Sequence, residues 1–250
     1  MNQKQREEIT LYLEDNPSFY DFSSDRILEW SKDYNFLEKY LKPQIEEGMK
    51  VLDIGCGHGK TLSAISDTIK KGYGVEIDDK RYKMAINENK DNPNIEIIKG
   101  DVSDVPVDEK FDIVFTERGP AAAIIDNVRE WVTEGGLFLV ERIGEQHHRV
   151  FKEIMGRGQG YGKWDEKSAA TKDRKILEDS GFEMLFMHNY FMFAYYENIV
   201  DLVKNVFAVP TIEYKGEEDL EKLKEVEKRL GTKKGIKLLN HYLVYVAKKI

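Results

Sequence analysis

The chain has 250 residues, and 38 Lys plus Arg against 46 Asp plus Glu give it a formal net charge of -8, which implies no overall basic surface for nucleic acid and leaves room only for a local basic patch. With 41% apolar and 34% charged residues it can bury a core, and its length suits one large α/β domain with a lid or cap. One cysteine, Cys56, excludes an internal disulfide framework and a cysteine-only metal site and suits a reducing compartment. The polar start, MNQKQREEIT, is no secretory signal, and no run of ~18 apolar residues occurs, so a soluble cytoplasmic protein without membrane association is expected.

In chain order, residues 3–14 and about 24–41 read as helices, the second opening at Ser23-Ser24-Asp25 and stopping before Pro43. They are expected to form an N-terminal helical cap over residues 1–42. From residue 50 to about 145, short apolar runs alternate with stretches of helical period, the pattern of a parallel sheet with crossover helices. The predicted strands are 50–53, 73–76, 95–98, 111–115 and 136–140, and their continuous apolar character marks strands covered on both faces. Between them, 60–70 carries Leu62, Ile65 and Ile69 on one face, and 121–132 carries Ala122, Ile125, Val128 and Val132.

Further on, 168–179 reads as a helix ended by Gly181 and 182–195 as an aromatic-rich strand. Helices at 198–208, before Pro210, and 217–230, before Gly231, form a helical insertion at about 197–236. The alternating run 241–247 is the last strand. The expected organisation is therefore a cap followed by an α/β domain over 43–250 that contains this insertion.

The most informative stretch is Val51-Leu52-Asp53-Ile54-Gly55-Cys56-Gly57-His58-Gly59, a strand entering a GxGxG turn and then a helix. Glycines at alternate positions let a ligand approach the main chain without meeting a Cβ. Dinucleotide sites favour GxGxxG with a pyrophosphate at the helix N-terminus. Here Asp53, two residues before Gly55, would repel a pyrophosphate, whereas it suits a ligand carrying an ammonium group. A nicotinamide dehydrogenase is thereby disfavoured.

VLDIGCGHG resembles motif I of the class I S-adenosylmethionine-dependent methyltransferases, and the similarity continues in the family's order through most of the chain. The resemblance implies a Rossmann-like sheet, mostly parallel with an antiparallel last strand, and S-adenosyl-L-methionine as cofactor with S-adenosyl-L-homocysteine as product. In the loop it points to Asp53, Gly55, Cys56 and Gly57. Gly74-Val75-Glu76-Ile77-Asp78 is similar to the second motif, so Glu76 should hold the ribose hydroxyls with Ile77 beside it; Glu76 lies 19 residues beyond Gly57. Lys99-Gly100-Asp101-Val102 resembles the adenine-binding motif, Asp101 accepting from the amino group beside the Val102 amide. Asp101 also reads as an ordinary turn residue. Phe111-Asp112-Ile113-Val114-Phe115-Thr116 matches the strand ending under the transferred methyl, which Thr116 and Glu117 should line. Gly135-Gly136-Leu137-Phe138-Leu139-Val140 and HYLVYVAKK resemble the fifth and last strands.

Methyl transfer from a sulfonium is an in-line displacement, so alignment and exclusion of water matter most, and a base is needed only when the nucleophile must lose a proton. No catalytic residue is assigned on this basis. Cys56 sits in the loop, so a cysteine route to pyrimidine C5 has no nucleophile. Thr116-Glu117-Arg118-Gly119-Pro120 replaces the Asn/Asp-Pro-Pro-aromatic motif used on exocyclic base nitrogens. No metal site is expected, because no ligand spacing appears and the adjacent His147 and His148 project differently.

Tyr20, Trp30, Glu117, Arg118 and His147 are the substrate-pocket candidates, although Arg118, Gln146 and His147 also read as surface residues. Phe19-Tyr20-Asp21-Phe22 with Trp30 and Tyr34 could equally form an aromatic wall over the cofactor or pack in the core. The aromatic run 186–196 reads either as core or as part of the pocket. Gly156-Arg157-Gly158-Gln159-Gly160-Tyr161-Gly162 reads as a flexible loop and, lacking a following Lys-Ser or Lys-Thr, is no P-loop. The expected acceptor is a small molecule enclosed by the cap and the insertion. The alternatives are an RNA methyltransferase of the guanine type, whose N-terminal zinc module this chain lacks, and a non-catalytic S-adenosylmethionine-binding protein. The oligomeric state is left open.

Overall fold

The computed structural model describes residues 2–5, 7, 27–29, 34–104, 109–119, 121, 124–162, 169–207 and 212–250. Among them, nine strands form one sheet: β1 (Ile27–Glu29), β2 (Lys50–Ile54), β3 (Lys71–Glu76), β4 (Ile95–Lys99), β5 (Phe111–Glu117), β6 (Val132–Ile143), β7 (Phe182–Tyr196), β8 (Gly231–Thr232) and β9 (Gly235–Lys249). Their order is β1-β7-β9-β6-β5-β2-β3-β4, with β8 hydrogen-bonded to β9. The pairs β2 with β3, β2 with β5, β3 with β4 and β5 with β6 are parallel, whereas β6 and β9 run antiparallel. This is the α/β, Rossmann-like sheet of class I methyltransferases, mostly parallel with an antiparallel last strand. Val51, Leu52 and Ile54 on β2 and Ile113, Val114 and Phe115 on β5 are wholly buried, as continuous apolar runs covered on both faces must be.

The helices are α1 (Lys60–Ser63), α2 (Asp79–Glu88), α3 (Ile125–Trp131), α4 (Arg149–Met155), α5 (Ala169–Asp179), α6 (Ile199–Val206) and α7 (Glu217–Leu230). The helix expected over 60–70 stops after one turn. Asn94 Nδ2 donates to the carbonyls of Ser66 and Ile69, and the Ser66 hydroxyl donates to Ser63 O, so side chains take acceptors a helix would use. Leu62, Ile65 and Ile69 are buried all the same. The helix expected over 24–41 is also corrected. Ile27–Glu29 pairs antiparallel with Phe193–Tyr195, and among the described residues of this stretch helical geometry occurs only around a π-turn at Leu37–Leu41 and a 3-10 turn at Lys42–Gln44. Pairing of backbone groups along a sheet edge overrode the helical spacing. Ser23-Ser24-Asp25 and most of 3–14 lie outside the described residues. Residue 132, expected to close a helix, instead opens β6.

The chain divides into two compact units. The sheet unit comprises 33–144, 167–190 and 242–250, and its core joins Leu52, Val75, Phe111, Val114, Val128, Trp131, Phe138 and Tyr245. The helical unit comprises 1–32, 145–166 and 191–241. In it the apolar sides of α4, α6 and α7 meet around Phe151, Leu202, Val203, Leu220, Leu223 and Val226. Asn198 caps α6 by accepting from the amides of Val200 and Asp201. Arg157 ties the unit internally: it donates to Glu213 O and pairs at 2.5 Å with the fully buried Asp219. The loop 156–162, expected to be free, is thus anchored at Arg157.

Candidate functional site

The site is built inside the sheet unit at the carboxyl ends of β2, β3, β4 and β5. Gly55, Gly57 and Gly59 all adopt positive φ, and the amides of Gly55 and Cys56 both donate to Val75 O, which pins the turn against β3. The glycines divide the labour. A Cβ on Gly59 would lie 2.4 Å from Asn89 Nδ2, so this residue seats α2 against the loop, whereas a Cβ on Gly57 would meet nothing within 4 Å. Gly57 therefore borders open space.

Glu76, at the end of β3, is buried, and its two oxygens accept from the amides of Gly57 at 2.8 Å and Asp78 at 2.9 Å. These bonds orient the carboxylate toward the loop. Ile77 follows it with an exposed side chain, 59% accessible, and Lys99 Nζ donates to its carbonyl. Asp101 is exposed and forms a local turn by accepting from the Ser103 amide, so the turn reading of this residue holds, while Val102 is buried in the core of the unit. The Thr116 hydroxyl is buried and donates to Ile54 O at 2.8 Å, which joins the ends of β2 and β5.

Asp53 is almost completely buried, and no donor among the described residues hydrogen-bonds it. Burial foremost, then the charges of Glu117 and Glu76, raise its carboxyl well above the ordinary range. Burial, with Asp53 and Glu76 nearby, likewise pushes the Cys56 thiol up, so it is no nucleophile. His58 has its Nε2 buried without a partner, and burial, Arg81 and Lys60 lower its pKa.

Glu117 accepts from Arg118 at 2.9 Å and from the Thr61 hydroxyl at 3.3 Å. Arg118 has a left-handed backbone, φ 64, its amide donates to Glu141 O, and its guanidinium pairs with Glu141 at 3.3 Å. Arg118 is exposed, in line with its surface reading, and is anchored there by Glu117 and Glu141. Glu141, opposite Glu117 in the β5–β6 register, was missed from sequence; its only signal was an acid closing an apolar strand. Burial raises its carboxyl.

His147 belongs to the helical unit, and its surface reading is corrected. It is buried, stacks on His148 at 3.9 Å and accepts through Nδ1 from the amide of His241. Gln146 is half-buried, its amide donating to His241 Nδ1 at 3.1 Å. Tyr34, in the sheet unit, is buried between Tyr190 and Tyr242, which is core packing. Phe19, Tyr20, Phe22 and Trp30 lie outside the described residues. Among the described residues no group of three or more His, Cys, Asp and Glu could hold a metal, and no helix is long and apolar enough to cross a membrane.

A parallel sheet with a glycine loop, a buried acid before it and a second acid closing the next strand is the arrangement that the resemblance to methyltransferase motifs implies. The family described as "Methyltransferase domain" matches residues 51–136, so this stretch, which carries the glycine loop and the acids at the ends of the following strands, is similar to a methyltransferase domain. The chain is 33% identical over 99 residues to the putative methyltransferase 235L of Invertebrate iridescent virus 6, covering 40% of this chain and 35% of that protein. It is 29% identical over 150 residues to the fibrillarin-like rRNA/tRNA 2'-O-methyltransferase of Methanopyrus kandleri, covering 56% and 59%. The chain thus spans between about a third and three fifths of these curated relatives. A putative methyltransferase from Bacillus halodurans shares the fold at TM-score 0.63 and 16% identity, over 85% of this chain and 98% of that one. The methyltransferase of Thiobacillus denitrificans, solved with S-adenosyl-L-homocysteine, does so at 0.54 and 16%, over 82% and 87%.

The residues present fit S-adenosylmethionine. A buried acid, Asp53, has no hydrogen-bond donor among the described residues and would suit a ligand ammonium, space lies beside Gly57, and the apolar side chain of Ile77 stands exposed next to Glu76.

Proposed function

We propose that this protein transfers a methyl group from S-adenosyl-L-methionine to a small-molecule acceptor. When bound, the cofactor supplies an activated methyl on a sulfonium. The observation that carries this reading is Asp53, an acid taken out of water beside a bare-backbone turn with no described donor, which costs free energy until a cation faces it. In this reading Asp53 takes the amino group, Gly55, Cys56 and Gly57 line the backbone approach, and Glu76 takes the ribose hydroxyls. Ile77 and Val102 flank the adenine, Asp101 accepts from its amino group, and Thr116 and Glu117 border the methyl. Glu117 and Arg118 then face the acceptor, with the Arg118–Glu141 pair holding the end of β5 in place. The net charge of -8 supports a small acceptor.

Calorimetric titration with S-adenosyl-L-methionine tests the cofactor assignment. Glu76→Ala is expected to weaken binding by roughly 1–3 kcal/mol, because the Gly57 and Asp78 amides lose their acceptor along with the ribose. Equal affinity of variant and parent overturns it. Production of S-adenosyl-L-homocysteine with an acceptor separates an enzyme from a protein that only binds the cofactor.

The similarity to the fibrillarin-like enzyme over 56% of the chain supports a second reading, methylation of RNA. Retention of RNA that falls steeply with added salt would favour it.

A further inference from the structure

We propose that the sheet face formed by the end of β7 and the start of β9 in the helical unit binds a planar aromatic ring bearing an acidic group. Alternation along a strand places Phe191, Phe193 and Tyr195 on one face, where water-facing positions ordinarily carry polar side chains. Two of these rings are exposed, Phe191 by 53% and Phe193 by 39%. On the neighbouring strand, His241 stacks against Phe191 with ring centres 4.3 Å apart and planes within 17°. The imidazole is itself held: Nδ1 accepts from the Gln146 amide, so while neutral it carries its proton on Nε2, and burial lowers its pKa in spite of Glu145 at 3.9 Å. The stack is therefore built on a fixed base, and the outer face of Phe191 accounts for its exposure.

The charge beside it completes the site. Lys237 Nζ lies 3.5 Å from the centre of the Phe193 ring and 5.9 Å from that of Tyr195. No carboxylate among the described residues pairs with it. A cation held over rings and lacking a counter-ion, one strand position from an open aromatic face, matches a ring that extends the His241–Phe191 stack and directs an anionic substituent to the ammonium. Of the two exposed rings, Phe193 is already covered by Lys237, and Lys234 lies 5.4 Å from the Tyr195 ring centre, so the face left beside Phe191 suits one aromatic group rather than a run of stacked bases, for which a phosphate-tracking groove would be needed. The assignment stands apart from the methyl-transfer reading, since it concerns binding alone.

Fluorescence titration of the full chain with 2-naphthoate tests it, beside 2-naphthalenemethanol, which lacks the charge, and cyclohexanecarboxylate as a competitor, which lacks the ring. Naphthoate should bind saturably, and the alcohol and the cyclohexane acid each about tenfold more weakly. Phe191→Leu should weaken naphthoate about tenfold, and Lys237→Gln should abolish the preference for acid over alcohol while leaving alcohol binding unchanged. Both positions are exposed or half-buried, and an unchanged circular-dichroism melt verifies folding; if a variant fails to fold, the three-ligand comparison on the parent chain decides. Absence of saturable naphthoate binding, parent-like binding by Phe191→Leu, or an oligouridylate that binds with a steep salt dependence where naphthoate does not, each overturns the proposal. S-adenosyl-L-methionine binding measured on the same samples keeps its failure distinct from failure of the cofactor site.

Discussion

At Asp53 the cost of a buried carboxylate and its proposed use are the same fact. Its pKa is raised by burial and by two neighbouring acids, so in the free protein the group favours its proton, and a ligand ammonium would favour the ionised form. Binding of S-adenosyl-L-methionine should therefore release protons and tighten as pH rises above the ordinary carboxylate range. Calorimetry in two buffers of different ionisation enthalpy measures that release; proton uptake would contradict the placement. Asp53→Asn should stabilise the free protein while weakening the cofactor. Lys152 presents the opposite sign. Burial lowers its pKa to about 8 from 10.5, so the folded state favours the neutral amine. Its contribution is present above the unfolded pKa and is lost as pH falls through about 8. Lys152→Met should accordingly stabilise the chain at pH ~7, by up to roughly 3 kcal/mol, with the gain shrinking as pH rises from about 8 to about 10.5 in denaturant titrations.

Among the elements, the central strands could be read directly because each is apolar throughout and lies inside the sheet. Elements whose limits depend on distant partners could not. The helix begun at Lys60 ends early because Asn94 reaches back to Ser66 and Ile69, and Ile27–Glu29 is a strand because Phe193–Tyr195 lies beside it. Helix α2, which the periodicity did not show, opens at Asp78, whose side chain accepts from the Arg81 amide. The last two glycines of the loop give a test at this scale. Gly59→Ala combines a left-handed backbone with a methyl 2.4 Å from Asn89, and should destabilise by about 2–4 kcal/mol in thermal melts. Gly57→Ala meets nothing, so it should cost only about 1–2 kcal/mol yet weaken S-adenosyl-L-methionine more than Gly59→Ala does.

Across the whole molecule, each unit has its own core, and the helical unit depends on a contact that no local pattern encodes. Arg157 and Asp219, 62 positions apart, form an ion pair with Asp219 fully buried. Arg157→Met should strand that charge and cost about 3–5 kcal/mol in denaturant unfolding, and adding Asp219→Leu should recover most of the loss. A double variant no more stable than the single would refute the pairing argument.

What the residues announced without coordinates was the class of the protein. Alternating apolar runs make a parallel sheet, three glycines make a turn with positive φ, and an acid stands before the turn and another at the end of the next strand, because each signal lies within a few residues or one strand–helix repeat. The spatial arrangement alone decided that His147 is buried, that Arg118 bridges Glu117 and Glu141, and that Phe191 turns one ring face outward over His241. Those outcomes depend on which distant side chains meet across strands, and burial, stacking and ion pairing are set by that meeting rather than by any local period.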